Sequence, residues 1–267
     1  MNPEPITSAQ NPKIKSLLSL RDKSRQRRES GLFVVEGARE FERALQCSYR
    51  AHSVFFCSKY LKDNSLAAYI ECCGAALYEV SPAVYDRIAC REGVEGVVAE
   101  MYAINYTLDD ISFKEAPLLL VMESVEKPGN IGAVLRTADA AGADAVLVCD
   151  PLTDPYNPNL IRASLGSAFS VKIVACDSQS AIGWLKDKGI SILTAQLQDS
   201  VPYYDTDMKR GTAIVLGTED KGLTDQWRQA SDAKINIPMN GLMDSLNVSV
   251  SAAILCFEAI RQRNSKK

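Results

Sequence analysis

The stretch PLLLVMESVEKPGNIGAVLRTADAAGADAVLVCD, residues 117–150, decides the architecture. PLLLVMESV (117–125) is an uninterrupted apolar run, the composition of a strand covered on both faces in a parallel sheet. In NIGAVLRTADAAG (130–142) the apolar Ile131, Val134, Leu135, Ala138 and Ala141 recur at helical spacing, and Gly142 stops the run. DAVLVCD (144–150) is again β-rich. Strand, helix and strand in that order begin an alternating α/β sheet.

Downstream the alternation continues. VKIVAC (171–176), SILTAQ (191–196), TAIVLGTE (212–219) and AKINIPM (233–239) bring the strand candidates to six, with helices between most of them. A long apolar helix follows from about Ser245 to Arg263. The reading is a mainly parallel six-stranded α/β domain spanning residues 117–267. Upstream, NYTLDDISFKEAP (105–117) loses apolar periodicity, so a linker is expected over 106–116. Residues 1–105 read as a smaller alternating α/β domain. An amphipathic helix over 11–29 ends at Gly31, and LFVVEG, AREFERALQ, HSVFFC, ALYEV and GVVAEMYAI follow as strands and a helix, with further helices over 64–73 and 81–89.

Composition narrows the chemistry. With 267 residues, 46% hydrophobic and 24% charged, the chain is neither collagenous, disordered nor a small disulfide scaffold. No apolar run approaches the roughly 18 residues of a membrane span, and MNPEPITSAQNPKIK has no signal-peptide core, so a cytoplasmic location is expected. Eight scattered cysteines without a CxxC pair read as reduced and buried. The single histidine, His52, makes triads, His–Cys dyads and multi-His metal sites improbable, and no metal is expected. Residues 1–30 carry seven basic against three acidic side chains although the whole chain is at −3. Such an arm suits a polyanion, and equally a solvated helix face.

In open α/β sheets ligands bind beyond the carboxyl ends of the strands. No GxGxxG follows the first strand, and Gly217–Gly222 has P-loop spacing but Leu223 where the lysine belongs. Three strand ends nevertheless stand out. KPGNIGAVLRTADAAGA (127–143) places Asn130 where a helix N-cap belongs and Arg136 further along the helix as a fork for phosphate. IVLGTEDKGL (214–223) ends a buried strand with Gly217, where a ligand can approach backbone, and sets Glu219 just beyond. INIPMNGLMDSLNVSVSAAILCFEA (235–259) runs through a Pro/Gly loop into an apolar helix that starts with Ser245, Asn247 and Ser249. Capping or surface charge explains each alone. All three together are harder to explain that way.

Within them NIGAVLRTADAAGA (130–143), IVLGTEDKGL (214–223) and IPMNGLMDSLNVSVSAA (237–253) resemble the three ordered motifs of the SpoU (TrmH-like) branch of the SPOUT RNA methyltransferases. ITSAQNPKIKSLL (6–18) and GLFVVEGAREFERAL (31–45) are similar to the L30e-like RNA-binding domain that precedes the catalytic domain in the ribosomal RNA 2′-O-ribose methyltransferases of that branch. Two departures are visible: Lys127 stands where many members have an acidic residue, and Thr218-Glu219-Asp220 replaces the frequent Asn-Glu-Gly. The resemblance implies a trefoil knot, which physical priors alone reject. It implies S-adenosylmethionine held largely by backbone at Thr194, Ala195, Leu216, Gly217, Ile237, Pro238, Met239, Ser245, Leu246 and Asn247. It implies catalytic roles for Arg136, Asn130, Glu219, Ser245 and Asn247, with methyl transfer to a ribose 2′-hydroxyl of RNA, foremost 23S ribosomal RNA, by a homodimer. Arg136 is then either the proton acceptor or, because arginine's intrinsic pKa is about 12.5 or higher, a cationic clamp on phosphate and alkoxide. A non-catalytic RNA-binding assembly factor and a tRNA-directed enzyme are the alternatives.

Overall fold

The computed structural model describes residues 3–61, 64–90 and 95–265. It divides into two compact units, Met1–Ile104 with Tyr156–Ser170, and Asn105–Pro155 with Val171–Lys267.

The first unit begins β1 (Glu4–Ile6), α1 (Pro12–Asp22), α2 (Ser24–Ser30), β2 (Leu32–Glu36), α3 (Ala38–Gln46) and β3 (Ala51–Phe56). It continues α4 (Asn64–Cys72), β4 (Ala76–Val80), α5 (Pro82–Ile88) and β5 (Val97–Tyr102). The sheet order is β1-β4-β3-β5-β2, with β5 antiparallel to both its neighbours. Strand alternation splits the apolar residues: Phe33, Val35, Ala99 and Met101 enter one core, Val34, Phe55 and Val98 the other. The helix expected over 11–29 is broken at Lys23. The Arg27 guanidinium, buried in α2, donates to the Leu20 and Arg21 carbonyls at the end of α1, both at 2.8 Å. Those carbonyls are ones a helix end leaves without partners. Much of the basic arm is likewise engaged within the fold, Lys13 by Glu4, Arg21 by Asp22 and Arg25 by Glu29, while Lys15, Lys23 and Arg28 stay exposed.

The second unit starts with β6 (Leu118–Glu123), α6 (Pro128–Ala141) and β7 (Ala145–Cys149). The chain then supplies α7 (Pro158–Ser164) and α8 (Ser167–Ser170) to the first unit. There Tyr156 stacks on Phe33 at 4.3 Å between ring centroids and Phe169 packs edge-on to Tyr49. Tyr156 Oη accepts from the Ile104 amide at 2.9 Å. Residues 156–170 thus lie outside the unit that their position within 117–267 suggested. The segment expected as a linker is in turn structured, since Ile111 is buried and Tyr106 bridges Val174.

The second unit resumes with β8 (Ile173–Cys176), α9 (Ser178–Asp187), β9 (Ser191–Ala195), β10 (Val201–Pro202) and β11 (Thr212–Leu216). It ends with α10 (Asp225–Ala230), β12 (Ala233–Asn236) and α11 (Val248–Asn264). All six expected strands form, β10 adds a two-residue edge, and every pairing is parallel in the order β10-β12-β9-β11-β6-β7-β8. β6, β7 and β11 are buried along their whole length. On one face Leu119, Val121, Leu147 and Val215 join a core with Leu185 of α9 and Trp227 of α10. On the other, α6 and α11 pack together and α11 covers β6 and β11. Arg263 fixes the far end of α11 by donating to the carbonyls of Met208, Ala116, Pro117 and Arg210 at 2.7–3.1 Å. Among the described residues no helix is long and apolar enough to cross a membrane, and no three of His, Cys, Asp and Glu gather as a metal site. None of the eight cysteines is in a disulfide, and Cys72 and Cys90 are exposed rather than buried.

Candidate functional site

The loop after β11 closes on itself. Thr218 and Gly222 exchange backbone hydrogen bonds at 3.2 and 3.0 Å, Thr218 Oγ1 accepts from the Lys221 amide at 3.1 Å, and Gly222 adopts φ +65°. A Cβ on Gly217 would lie 2.2–2.5 Å from the Gly222 and Leu223 backbone. The glycine is therefore required first by the loop's own closure. That reason precedes the approach of any ligand, which is what the strand-end pattern suggested.

Beside this loop three sequence-selected side chains meet. Glu219 Oε1 accepts from Asn130 Nδ2 and Asn247 Nδ2, both at 2.9 Å, and its Oε2 accepts from Lys127 Nζ. Asn247 Nδ2 also reaches Asn130 Oδ1 at 3.2 Å. Pro128 at the first helical position moves the N-cap of α6 back to Lys127, which makes no side-chain cap. Asn130 is accordingly not the cap it was expected to be, and its amide is free for Glu219. Asn247 does cap: its Oδ1 accepts from the Ser249 amide at 3.0 Å, so one amide starts α11 and holds the cluster. The Lys127 ammonium and the two amides hold the Glu219 carboxyl below the usual glutamate range, and Glu219 raises Lys127 in return.

The other two catalytic candidates lie apart. Ser245 is exposed and donates to Asp244 at 3.2 Å. Arg136 is exposed on α6 and lines neither cavity described below. Six residues of helix carry it about 9 Å along and some 120° around from Asn130.

Two cavities share the loop as a wall. The first, about 340 Å³, lies beyond the ends of β9, β11 and β12. Of the ten cofactor candidates, Ala195, Leu216, Gly217, Ile237, Met239, Ser245 and Leu246 line it. Thr194 is wholly buried behind it, and Pro238 and Asn247 are not among its walls. The second cavity, about 400 Å³, is walled by Glu123, Lys127, Asn130, Glu219 and Thr224 among others. Both volumes are of small-molecule size. Gln196 and Arg228 also line the first cavity, and the sequence reading passed over both. Their signal is structural: Gln196 Oε1 and Arg228 Nε are buried without a hydrogen-bond partner.

Residues 117–257 match the SpoU rRNA Methylase family, and residues 11–99 match the MRM3-like substrate binding domain. The chain belongs to the SpoU rRNA Methylase family. Among its relatives is the 23S rRNA (guanosine(2553)-2′-O)-methyltransferase RlmP of Bacillus subtilis, 28% identical over 94% of this chain and 97% of that one. A second is the 23S rRNA (guanosine-2′-O-)-methyltransferase RlmB of Ralstonia nicotianae, 32% identical over 76% of this chain and 85% of that one. The AdoMet-bound rRNA methyltransferase of Sinorhizobium meliloti superposes with a TM-score of 0.89, at 29% identity, over 98% of this chain and 99% of that one. In this SpoU methylase the matched segment contains all three motifs, and its family domain spans both cavities and the Asn130–Glu219–Asn247 cluster.

Proposed function

We infer that this chain is an S-adenosylmethionine-dependent RNA 2′-O-ribose methyltransferase whose substrate is 23S ribosomal RNA. The observation that carries the reading is the arrangement of a polar cluster, Asn130–Glu219–Asn247, beside a cavity formed by three strand ends. The first cavity suits the methyl donor on its own features. It has apolar strand ends, adequate volume, and two buried polar atoms that lack a partner within the protein. Bound there, the sulfonium supplies an electrophilic methyl group. Ala195, Leu216, Gly217, Ile237, Met239, Ser245 and Leu246 would hold the donor. The acceptor nucleotide takes the second cavity, where Asn130 and Glu219 orient the ribose, and orientation accounts for much of the acceleration. We take the segments around these loops to form the knot of the SPOUT fold.

Arg136 lies away from this cluster, and a homodimer reconciles its position with a catalytic role. α11 leaves Val250 and Phe257 nearly half exposed although its other face is core, which is the pattern of a helix with a second partner. We place a second copy of the chain against α6 and α11, so that Arg136 serves the partner's site as proton acceptor or as cationic clamp. The first unit presents the RNA, in the cytoplasm, with Lys15, Lys23 and Arg28 as available cations. The test is transfer of tritiated methyl from S-adenosylmethionine to deproteinised 23S rRNA, followed by mapping of 2′-O-methyl positions. A single labelled ribose supports the reading. Donor binding without transfer to any rRNA overturns it in favour of a non-catalytic assembly factor, and transfer to tRNA alone reassigns the substrate.

A further inference from the structure

We propose that Arg228 anchors the α-carboxylate of the methyl donor, a contact that gives this protein a charged side-chain hold on a ligand otherwise gripped by backbone. The assignment rests on the reading of the first cavity as the donor site. Four side-chain polar atoms among the described residues are buried without a hydrogen-bond partner. Two of them, Gln196 Oε1 and Arg228 Nε, line that cavity, and a third, Thr194 Oγ1, belongs to the strand behind it.

A buried guanidinium nitrogen without an acceptor is costly, because its desolvation is not compensated. Within the described residues no carboxylate pairs with Arg228, although Glu219, Asp220 and Asp244 also line the cavity. Those three and Lys221 are exposed, whereas Arg228 is half-buried. Arg228 is therefore the charged wall residue with the most to gain from an anion of the ligand. Its place is fixed by α10, whose Trp227 is wholly buried and donates to Ser178 Oγ at 2.8 Å, and its guanidinium lies beside Gly222 of the shared loop. Gln196 is also held in one orientation, since its Nε2 donates to the Gln198 carbonyl at 2.8 Å and its Oε1 is left as an acceptor without a partner. A bare cationic donor and a bare neutral acceptor on one cavity wall match a zwitterionic amino-acid group: the carboxylate to Arg228, an N–H of the ligand to Gln196. Of the groups on S-adenosylmethionine, the carboxylate is the anion, and a guanidinium fork suits it.

The experiment compares two ligands that share the nucleoside and sulfur but differ in the amino-acid part. S-adenosylhomocysteine carries the carboxylate and 5′-methylthioadenosine does not. Both are titrated calorimetrically into full-length wild type, Arg228→Gln and Arg228→Lys. The expected result is a loss of about ten- to a hundredfold in S-adenosylhomocysteine affinity for Arg228→Gln, with 5′-methylthioadenosine affinity unchanged within about twofold. Arg228→Lys should fall between, since it keeps the charge and loses the fork. Retained 5′-methylthioadenosine binding shows that the variant is folded. Equal loss of both ligands, or loss of neither, overturns the assignment while leaving the donor site in place. Wild-type protein that binds neither ligand overturns the methyltransferase reading and this assignment with it.

Discussion

On the side of the 217–223 loop that faces α6, both carboxylate oxygens of Glu219 have partners, whereas on the side that faces β9 and β12 Gln196 Oε1 and Arg228 Nε have none. The two sides belong to one loop and are built to different standards. A satisfied cluster keeps its geometry without ligand, so a reacting group arriving there meets side chains already in place. An unsatisfied wall does the opposite: it lowers the stability of the empty protein and returns that free energy when a ligand supplies the missing partners. On the proposed function, positioning for chemistry and gripping of a reagent are thereby separated across a few residues.

The largest effect comes from breaking both sides together. Gly217→Val drives a side chain into the Gly222 and Leu223 backbone, so donor binding by calorimetry and methyl transfer should both fall below detection. Normal donor affinity in this variant would remove the loop from the pocket. Arg136→Ala should abolish transfer and leave donor affinity within about twofold, and Arg136→Lys should fail too, because a point charge does not reproduce the fork. Mixing inactive Arg136→Ala with Glu219→Gln tests the dimer. If Arg136 serves the partner's site, mixed dimers regain one intact site and activity returns. If the mixture stays dead, Arg136 acts within its own chain or the chain is monomeric.

Asn247 sharpens the comparison at a smaller scale, since its two ends do different work. Asn247→Ala should lower stability by about 1 kcal/mol through the lost cap and lower turnover by about ten- to a hundredfold. Asn247→Asp keeps the cap acceptor and sets a carboxylate against Glu219, so its unfolding midpoint should stay near wild type while turnover still falls. Parallel changes in both quantities for both variants would mean that the cluster is only structural. The smallest effect is a shift in pH. Lys127 leads the groups that hold Glu219 below its ordinary range. The ionised cluster is present above the ordinary glutamate pKa and is lost as pH falls through the depressed value. Lys127→Met should therefore move the acid limb of the transfer rate to higher pH with little change at neutrality. An unmoved limb would show that Glu219 is not the group titrating.

The sheet was legible because fully buried parallel strands have no choice of composition: LLLVME, AVLVC and TAIVL can be read only one way. The three motif segments stood out because polar residues collect where strands end, and the structure brings Asn130, Glu219 and Asn247 of them together. Other features depended on contacts that no local pattern encodes. Residues 156–170 sit between two strands of the second unit in sequence, and partners distant in the chain, among them Phe33, Tyr49 and Ile104, draw them to the first. The break at Lys23 depends on Arg27 reaching back seven residues. Asn130 has the residue type of a cap, and Pro128 decided that it is not one. Lys127 was visible as a departure from the family pattern, yet its ion pair with Glu219 joins residues 92 positions apart. Gln196 and Arg228 carried no signal at all, because an unpaired atom can be recognised only when its surroundings are known.

The double use of Asn247 also sets an order of events during synthesis. Its side chain completes the Glu219 cluster only when it also starts α11, and α11 follows every strand of the sheet in the chain. The sheet, α6 and the Gly217 loop are therefore made before the residue that joins them into a site. Arg263, near the far end of the same helix, closes the arrangement by holding carbonyls at the start of β6 and just ahead of β11. The cluster's final member is made after every strand of the unit, with α11 still to follow. A chain that stops short of α11 thus lacks the Ser249 amide that orients Asn247, and with it the contact that ties the loop after β11 to α6.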